Sequence, residues 1–159
     1  MKKVAILTLL VLGLTKSVTG QVVRVVSFEE LENQINQNTD TTYIFNFWAT
    51  WCKPCQSEMA AFRKIADENI NQKLKVILVS LDFVDEIQKV KNFLKVNPIK
   101  AEVVLLNAPD QDKWINSVSS AWSGGLPSTL FINNKQKVRR FLEKEMNFSE
   151  IINEIKAIK

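Results

Sequence analysis

The sequence predicts an α/β protein in which helices cover both sides of a mixed central sheet, in the order βαβα and then ββα. Two observations lead to this prediction. Runs of strand character alternate with segments of helical periodicity, and a hairpin followed by one helix closes the chain. A length of 159 residues, with 46% hydrophobic and 24% charged residues, suits one globular domain. We therefore expect a three-layer α/β/α sandwich.

The first twenty residues are typical of a secretory signal. Lys2 and Lys3 precede an apolar run over residues 4–14, and small residues follow it. This run is shorter than the roughly 18 residues that a membrane-spanning helix needs. We expect a signal peptide over residues 1–20 and a single domain over residues 21–159. Export to the periplasm or another extracytoplasmic space follows, with an uncleaved membrane anchor as the alternative.

Charge and cysteine content exclude several classes of protein. Removal of the signal takes away three lysines and no acid, so the formal charge falls from +4 to +1, with 18 basic against 17 acidic residues. Such a surface lacks the clustered cations of nucleic-acid binding, so no nucleic-acid partner is expected. Two cysteines and no histidine exclude a disulfide framework and a four-ligand zinc site within one chain, although a site bridging two chains stays open. No metal or organic cofactor is expected.

The first half of the domain reads as strand, helix, strand and helix. A strand near residues 22–26 precedes a short helix, which Ser27 and Glu30 open as a capping box. Residues 42–48 form a continuous aromatic and β-branched run, typical of a central strand buried on both faces. From Pro54, at the first helical position, the pattern becomes helical.

The same alternation continues with a buried strand over residues 74–81 and a helix in which Ile87, Val90 and Leu94 share one face. Strand, helix and strand in succession predict a parallel pair. The short apolar run over residues 101–106 is not assigned to an element.

A hairpin and a helix end the chain. Residues 128–132 and 138–142 are two short runs on either side of a polar turn, as in a β-hairpin. A closing amphipathic helix begins at a polar Asn147 or Ser149.

The candidate chemistry lies where the central strand passes into the helix. Cys52 and Cys55 are spaced i and i+3 in Trp51-Cys52-Lys53-Pro54-Cys55. A free cysteine, with a pKa near 8.5, is mostly protonated at neutral pH, whereas the attacking species in disulfide exchange is the thiolate. The start of a helix favours that anion. We expect Cys52 to face solvent as the nucleophile, and Cys55, one turn inside, to resolve the mixed disulfide.

The segment FNFWATWCKPCQSEMAAF resembles the thioredoxin superfamily and is most similar to its exported TlpA/ResA-like branch, with a resemblance from about residue 42 to the carboxyl end. This implies a thioredoxin-like fold and protein disulfides as substrates. Gly125-Leu126-Pro127-Ser128-Thr129 resembles the cis-proline loop of the family, which implies that Leu126 and Pro127 bind an extended substrate. Glu58 matches an acid of the branch and is implied to accept the proton of Cys55. A glutamate simply favoured by the helix dipole is the alternative.

Asn46 departs from the superfamily pattern, in which this strand carries a buried aspartate. Asparagine cannot exchange a proton, so any general-base role falls to Glu58 or to water. Trp51, beside the nucleophile, is expected to line a substrate surface. Trp114 and Trp122 are expected to be packing residues.

The leading hypothesis is an exported, monomeric enzyme that reduces protein disulfides, with electrons resupplied by a membrane-bound dithiol donor. A disulfide oxidase or isomerase would use the same residues at a different redox poise. A binding module that holds a partner or Cu(I) through both thiolates is the alternative class. A thioredoxin-fold peroxidase should carry its cysteine in a P-x-x-x-T/S-x-x-C pattern, which the sequence lacks.

Overall fold

The computed structural model describes residues 21–68 and 73–158 as one mixed sheet with helices on both faces. The predicted signal, residues 1–20, lies outside the described residues. In chain order the elements are β1 (Val23–Ser27), α1 (Phe28–Ile35), β2 (Thr42–Trp48), α2 (Lys53–Asp67), β3 (Leu74–Ser80), a 3₁₀ turn (Val84–Glu86), α3 (Ile87–Val96), β4 (Glu102–Asn107), α4 (Gln111–Val118), β5 (Ser128–Asn133), β6 (Val138–Leu142) and α5 (Phe148–Ala157).

The strands lie in the order β1-β4-β3-β2-β5-β6. The first four strands in this order, β1, β4, β3 and β2, are parallel to one another. The predicted parallel pairing of β2 with β3 is confirmed. β5 and β6 form the predicted hairpin, and β5 is antiparallel to β2. β2 therefore lies at the junction between the parallel and antiparallel parts of the sheet, and its carboxyl end leads into the cysteine motif.

Two apolar cores, one on each face of the sheet, account for the three layers. Side chains of α2, α3 and α5 pack with Ile44 and Trp48 of β2 on one face. Side chains of α1 and α4 pack with Phe45 and Phe47 on the other face. Because side chains alternate along a strand, a strand between two helical layers must be apolar on both faces, as the continuous run in β2 indicated. The predicted class, an α/β/α sandwich with a mixed sheet, is confirmed.

The predicted order of elements is incomplete. The described chain contains four successive βα units before the hairpin, whereas the predicted order gave two. That order left out one predicted pair, the strand over residues 74–81 and the helix after it, and β4 and α4 had not been assigned. β4 lies between β1 and β3 and joins the first strand to the sheet. It arises from the apolar run at residues 101–106, a run too short for its periodicity to separate a strand from a buried helical segment.

The helix starts predicted from the sequence agree with the structure to within a residue or two. Ser27 caps α1 and Asn147 caps α5, each in a reciprocal capping box with the glutamate three residues later. α2 starts at Lys53, so Pro54 is the second helical residue and not the first. Within the described residues, no helix combines the length and the apolar character needed to cross a membrane.

Candidate active site

The cysteine motif occupies the connection between β2 and α2. Cys52 is the N-cap of α2, and its Sγ accepts the backbone N–H of Cys55 at 3.3 Å. The two cysteines are joined by a disulfide, with Cα atoms 5.3 Å apart. The N–H groups of the first helical turn have no acceptor within the helix, and an N-cap side chain accepts a hydrogen bond from one of them. A thiolate at Cys52 would therefore receive a hydrogen bond and the favourable field of a 15-residue helix.

The expected exposure of Cys52 is wrong for this disulfide-bonded state. Cys52 is only 6% exposed, and Cys55 is fully buried, as expected. The physical reason is that the bond to Cys55 and the contact with the helix start turn the Cys52 sulfur inward, against the core that contains Trp48 and Met59. The residues that remain open to solvent around the pair include Trp51, which is 62% exposed, and the exposed Lys53 and Pro54.

The loop before β5 lies against the end of β2. The Leu126–Pro127 peptide bond is cis, as the resemblance implied. In the antiparallel register, Phe47 is opposite Ser128 and Asn46 is opposite Thr129, so Pro127 lies at the level where β2 passes into the cysteine motif. Pro127 is buried, whereas Leu126 is partly exposed. The predicted substrate-binding loop thus leads into the strand that pairs with β2, whose carboxyl end precedes the cysteine motif.

Glu143 holds this loop in place through hydrogen bonds, and sequence analysis had not identified this residue. Its carboxylate accepts hydrogen bonds from the Ser123 N–H at 2.9 Å, the Ser123 hydroxyl and the Gly125 N–H at 2.8 Å. These contacts, with the Ser123 hydroxyl foremost, hold the pKa of Glu143 below its usual value. A Cβ atom at Gly125 would lie 2.3 Å from an oxygen of the same carboxylate, so a side chain there would require Glu143 to move. No local sequence signal pointed to a partner 18 to 20 residues away.

Glu58 lies beneath the cysteine pair, one turn beyond Cys55 on α2. It is 3% exposed. One carboxylate oxygen accepts the Asn46 amide N–H at 2.7 Å, and the other accepts the Met146 backbone N–H at 2.9 Å. Burial raises the pKa of Glu58 to about 7, although both hydrogen bonds act to lower it. A carboxyl group with this pKa is suited to accept a proton near neutral pH.

Asn46 replaces the acid of the superfamily pattern and binds Glu58 instead. It is fully buried on β2, and its amide nitrogen also donates to the Thr129 hydroxyl at 3.2 Å. Its Oδ1 atom has no partner. A protonated Glu58 would donate to Oδ1 only if the Asn46 amide turned over, which would move the amide NH2 group to the position where no partner lies. The expectation that a proton-exchange role falls to Glu58 fits this arrangement.

Asp82 is a second buried carboxylate that sequence analysis had missed. It follows β3, is 2% exposed, and accepts hydrogen bonds from the Thr50 N–H at 3.0 Å, the Thr50 hydroxyl and the Ser80 hydroxyl at 2.7 Å. Thr50 is two residues before Cys52, so Asp82 anchors the cysteine loop to the neighbouring strand. Its place at the carboxyl end of a parallel strand was the available signal, because functional residues gather at that edge of such sheets.

The tryptophans differ in exposure, and the two predicted packing residues are buried. Trp114 and Trp122 are buried and contact each other and Phe47, as packing residues do. Trp48 is fully buried. Trp51, the residue before Cys52, is exposed and lines a groove together with Leu126. Four of the predicted site residues lie within residues 51–58: Trp51, Cys52, Cys55 and Glu58. The other two, Leu126 and Pro127, directly precede β5, the strand that pairs with β2. Their roles towards a substrate stay predictions.

Comparisons with known proteins agree with this geometry. The sequence model of the AhpC/TSA family matches residues 22–141. Sporulation thiol-disulfide oxidoreductase A of Bacillus subtilis is 24% identical over 98 residues, which cover 61% of this chain and 56% of that protein. Thiol-disulfide oxidoreductase ResA of Geobacillus thermodenitrificans is 26% identical over 131 residues, which cover 82% of this chain and 71% of that protein.

Solved structures show the same fold. A thioredoxin-related protein from Neisseria meningitidis serogroup B superposes with a TM-score of 0.65 at 25% identity, over 76% of this chain and 86% of that one. The match to the sporulation oxidoreductase spans little more than half of its length.

Proposed function

This chain belongs to the AhpC/TSA family, and we propose that it is a thiol-disulfide oxidoreductase that works through Cys52 and Cys55. The proposal rests on the Cys52 sulfur, which lies at the N-cap of α2 and is bonded to the Cys55 sulfur one turn inside. The relatives named as thiol-disulfide oxidoreductases support it. A peroxidase pattern is not supported, because positions 45 and 49 hold Phe and Ala where proline and threonine or serine would be required before Cys52.

In the reducing direction, the Cys52 thiolate attacks one sulfur of a substrate disulfide. An S–S bond forms between enzyme and substrate, and the substrate releases its other sulfur as a thiolate that takes up a proton. Cys55 then loses its proton to Glu58 and attacks the Cys52 sulfur. The mixed disulfide breaks, the internal disulfide forms, and the second substrate thiol leaves. Two electrons have passed to the substrate, and a membrane-bound dithiol donor then reduces the enzyme disulfide with two electrons of its own and is itself oxidised to a disulfide.

The test of the chemistry is reduction of insulin by dithiothreitol. We expect the wild type to accelerate precipitation of the insulin B chain, and Cys52→Ala to abolish that acceleration. Cys55→Ala should stop turnover and accumulate the mixed disulfide. Ser57→Ala, on the exposed side of the same helix, is the matched control and should keep wild-type activity. Undiminished activity in both cysteine variants would end the proposal.

The direction of electron flow is tested by the reduction potential of the cysteine couple in glutathione buffers. A reductase should have a potential near the thioredoxin value of about −270 mV. A value near about −120 mV would assign an oxidase instead, because a strong oxidant has a relatively stabilised dithiol form.

Export and the monomeric state belong to the same proposal. The amino-terminal sequence supports export, because basic residues precede a short apolar run. Expression of the full chain in a bacterial host should give a secreted protein, and its amino-terminal residue would distinguish a removed signal from a retained anchor. Light scattering after gel filtration should give one mass, that of a single chain.

A further inference from the structure

A groove of about 870 Å³ lies between the start of β1 and α3. It is lined by Gln21 and Val22, by one side of α3 and by the segment that joins α3 to β4. The Gln21 side chain joins two of these parts, because its Nε2 donates to the Ala101 carbonyl at 2.7 Å and its Oε1 accepts the Ile99 N–H at 3.4 Å. The start of the described domain is therefore held at this groove.

The groove is basic. Three exposed lysines line it: Lys91 and Lys95 of α3 and Lys100 of the segment before β4. None of the described lining residues is acidic. None of the three lysines forms an ion pair with an acid of the described residues, whereas Lys89 on the same helix is paired with Glu86. We refer to this surface as the basic groove.

The helix dipole accounts for only one of these lysines. Lys95 is in the last turn of α3, where the dipole favours a cation. Lys91 lies one turn earlier, and Lys100 follows the helix. Two lysines four residues apart lie on the same side of a helix and repel each other when no acid is close. An anion bound from outside would relieve this repulsion.

Exposed apolar side chains flank the lysines. Val22 lines the groove and Val96 follows Lys95, and each is 75% exposed, the highest value among the large hydrophobic residues that the structure describes. Val96 is four residues after Asn92, another lining residue, so it lies on the same side of α3. Basic and apolar side chains together on one surface are typical of proteins that bind anionic membrane surfaces.

The sequence before the groove favours a membrane over an acidic protein as the occupant. Only six residues, 15–20, separate the apolar run over residues 4–14 from Gln21. An extended chain covers at most about 3.6 Å per residue, so an uncleaved anchor would keep the groove within about 25 Å of the bilayer. If the signal is removed, the same lysines would bind the membrane surface without an anchor.

We propose that the basic groove binds the phosphate groups of anionic phospholipids and holds the domain against a membrane surface. The groove lies at the amino-terminal ends of β1 and β4, whereas the cysteine motif follows the carboxyl end of β2 in the same parallel set. Docking through the groove therefore directs the cysteine pair away from the bilayer, where a substrate can reach it. The inference does not use the cysteine chemistry, so it can fail or hold independently of the proposed function.

The test measures binding by flotation with vesicles of phosphatidylcholine alone and of phosphatidylcholine mixed with phosphatidylglycerol. The informative quantity is the ratio of the two partition coefficients, because an uncleaved apolar segment would add to binding on both kinds of vesicle. One lysine near an anionic surface contributes about fivefold, so the ratio for the wild type should be about 100 in about 0.1 M salt. It should approach one in about 1 M sodium chloride, where the Debye length is about 3 Å.

Two triple variants, each with three exposed lysines changed to glutamine, locate the binding surface. The first changes the groove: Lys91→Gln, Lys95→Gln and Lys100→Gln. The second is the matched control in α4 and in the turn between β5 and β6, at the opposite edge of the sheet from β1: Lys113→Gln, Lys135→Gln and Lys137→Gln. The groove variant should bring the ratio close to one, and the control should keep it within about twofold of the wild type. Because all six lysines are exposed, both variants should unfold at the wild-type temperature and reduce insulin in solution at the wild-type rate.

The outcomes separate the two proposals. Equal partition of the wild type into both kinds of vesicle, or an equal loss of the ratio in both triple variants, would overturn the inference. Binding to polyglutamate but not to anionic vesicles would assign the groove to an acidic polypeptide and overturn it as well. Wild type bound to anionic vesicles should still reduce insulin, and loss of that activity would contradict the orientation. Failure of the wild type to reduce insulin in free solution would instead refute the proposed function.

Discussion

Replacement of Glu58 by glutamine removes the buried carboxyl group that lies between β2 and the segment before α5. The folded protein raises the pKa of this group from 4.5 to about 7, chiefly through burial. Between these two values the folded protein holds a proton that the unfolded chain has released. The stability of the wild type therefore falls as pH rises through this window, and below about pH 4.5 this group imposes no cost.

The size of the effect follows from the shift. One pKa unit corresponds to about 1.4 kcal/mol, so the full shift corresponds to about 3 kcal/mol, of which about 2.5 kcal/mol develops between pH 5 and pH 8. Glutamine does not titrate. It would also place an amide N–H against either the Asn46 amide or the Met146 N–H, so Glu58→Gln should cost about 1–3 kcal/mol at pH 5, where the wild-type carboxyl is protonated. The slope with pH, and not the offset, is the informative quantity.

Urea unfolding of the disulfide-bonded proteins, followed by tryptophan fluorescence at pH values from 5 to 8, measures this slope. The free energy of unfolding of Glu58→Gln, minus that of the wild type, should increase by about 2.5 kcal/mol from pH 5 to pH 8. Glu68→Gln, at the exposed end of the same helix, should follow the wild type. Parallel curves for Glu58→Gln and wild type would refute the account of the buried carboxyl. The same variant should slow resolution of the mixed disulfide by about 100-fold if Glu58 accepts the Cys55 proton.

Two further variants test how the surrounding carboxylates hold the site. Glu143→Ala removes the acceptor of three hydrogen bonds from Ser123 and Gly125; it should cost about 1–3 kcal/mol in urea unfolding, whereas Lys144→Ala should cost about 0.5 kcal/mol or less. Equal costs would show that Glu143 does not fasten the loop. Asp82→Asn puts an N–H donor in place of an acceptor oxygen and should loosen the cysteine loop; insulin reduction should fall by about 100-fold, as expected when a reacting group is displaced by about 1 Å. Wild-type activity in Asp82→Asn would show that this anchor is dispensable.

The elements that sequence analysis predicted best are those with strong local signals. β2 has the predicted bounds, because a seven-residue aromatic and β-branched run needs no long-range information. The capping box of Ser27 and Glu30 was predicted, and Asn147, the observed N-cap of α5, was one of the two predicted starts of that helix. β4 was missed for the opposite reason: its place in the sheet is set by β1 and β3, strands distant in sequence.

The residues of the site also differ in how far their identification depends on local sequence. The spacing of Cys52 and Cys55 and the strand that precedes them are local, so the pair could be identified from the sequence. The partners of its carboxylates are not local. Glu58 meets a backbone N–H from 88 residues away, and Asp82 meets Thr50 across 32 residues. The burial of Cys52 was mispredicted because it depends on the closed disulfide and on the core beneath it.

Ionisation of the Cys52 thiol in the reduced Cys55→Ser protein tests the central claim most directly. The rate of alkylation by iodoacetamide as a function of pH gives the apparent pKa of this thiol. A thiolate at the N-cap of α2, with the residue 55 N–H as donor, should have a pKa at least about one unit below the free value of about 8.5. A pKa of 8.5 or above, or faster alkylation of Cys55 in Cys52→Ser, would contradict the assignment of Cys52 as the attacking group.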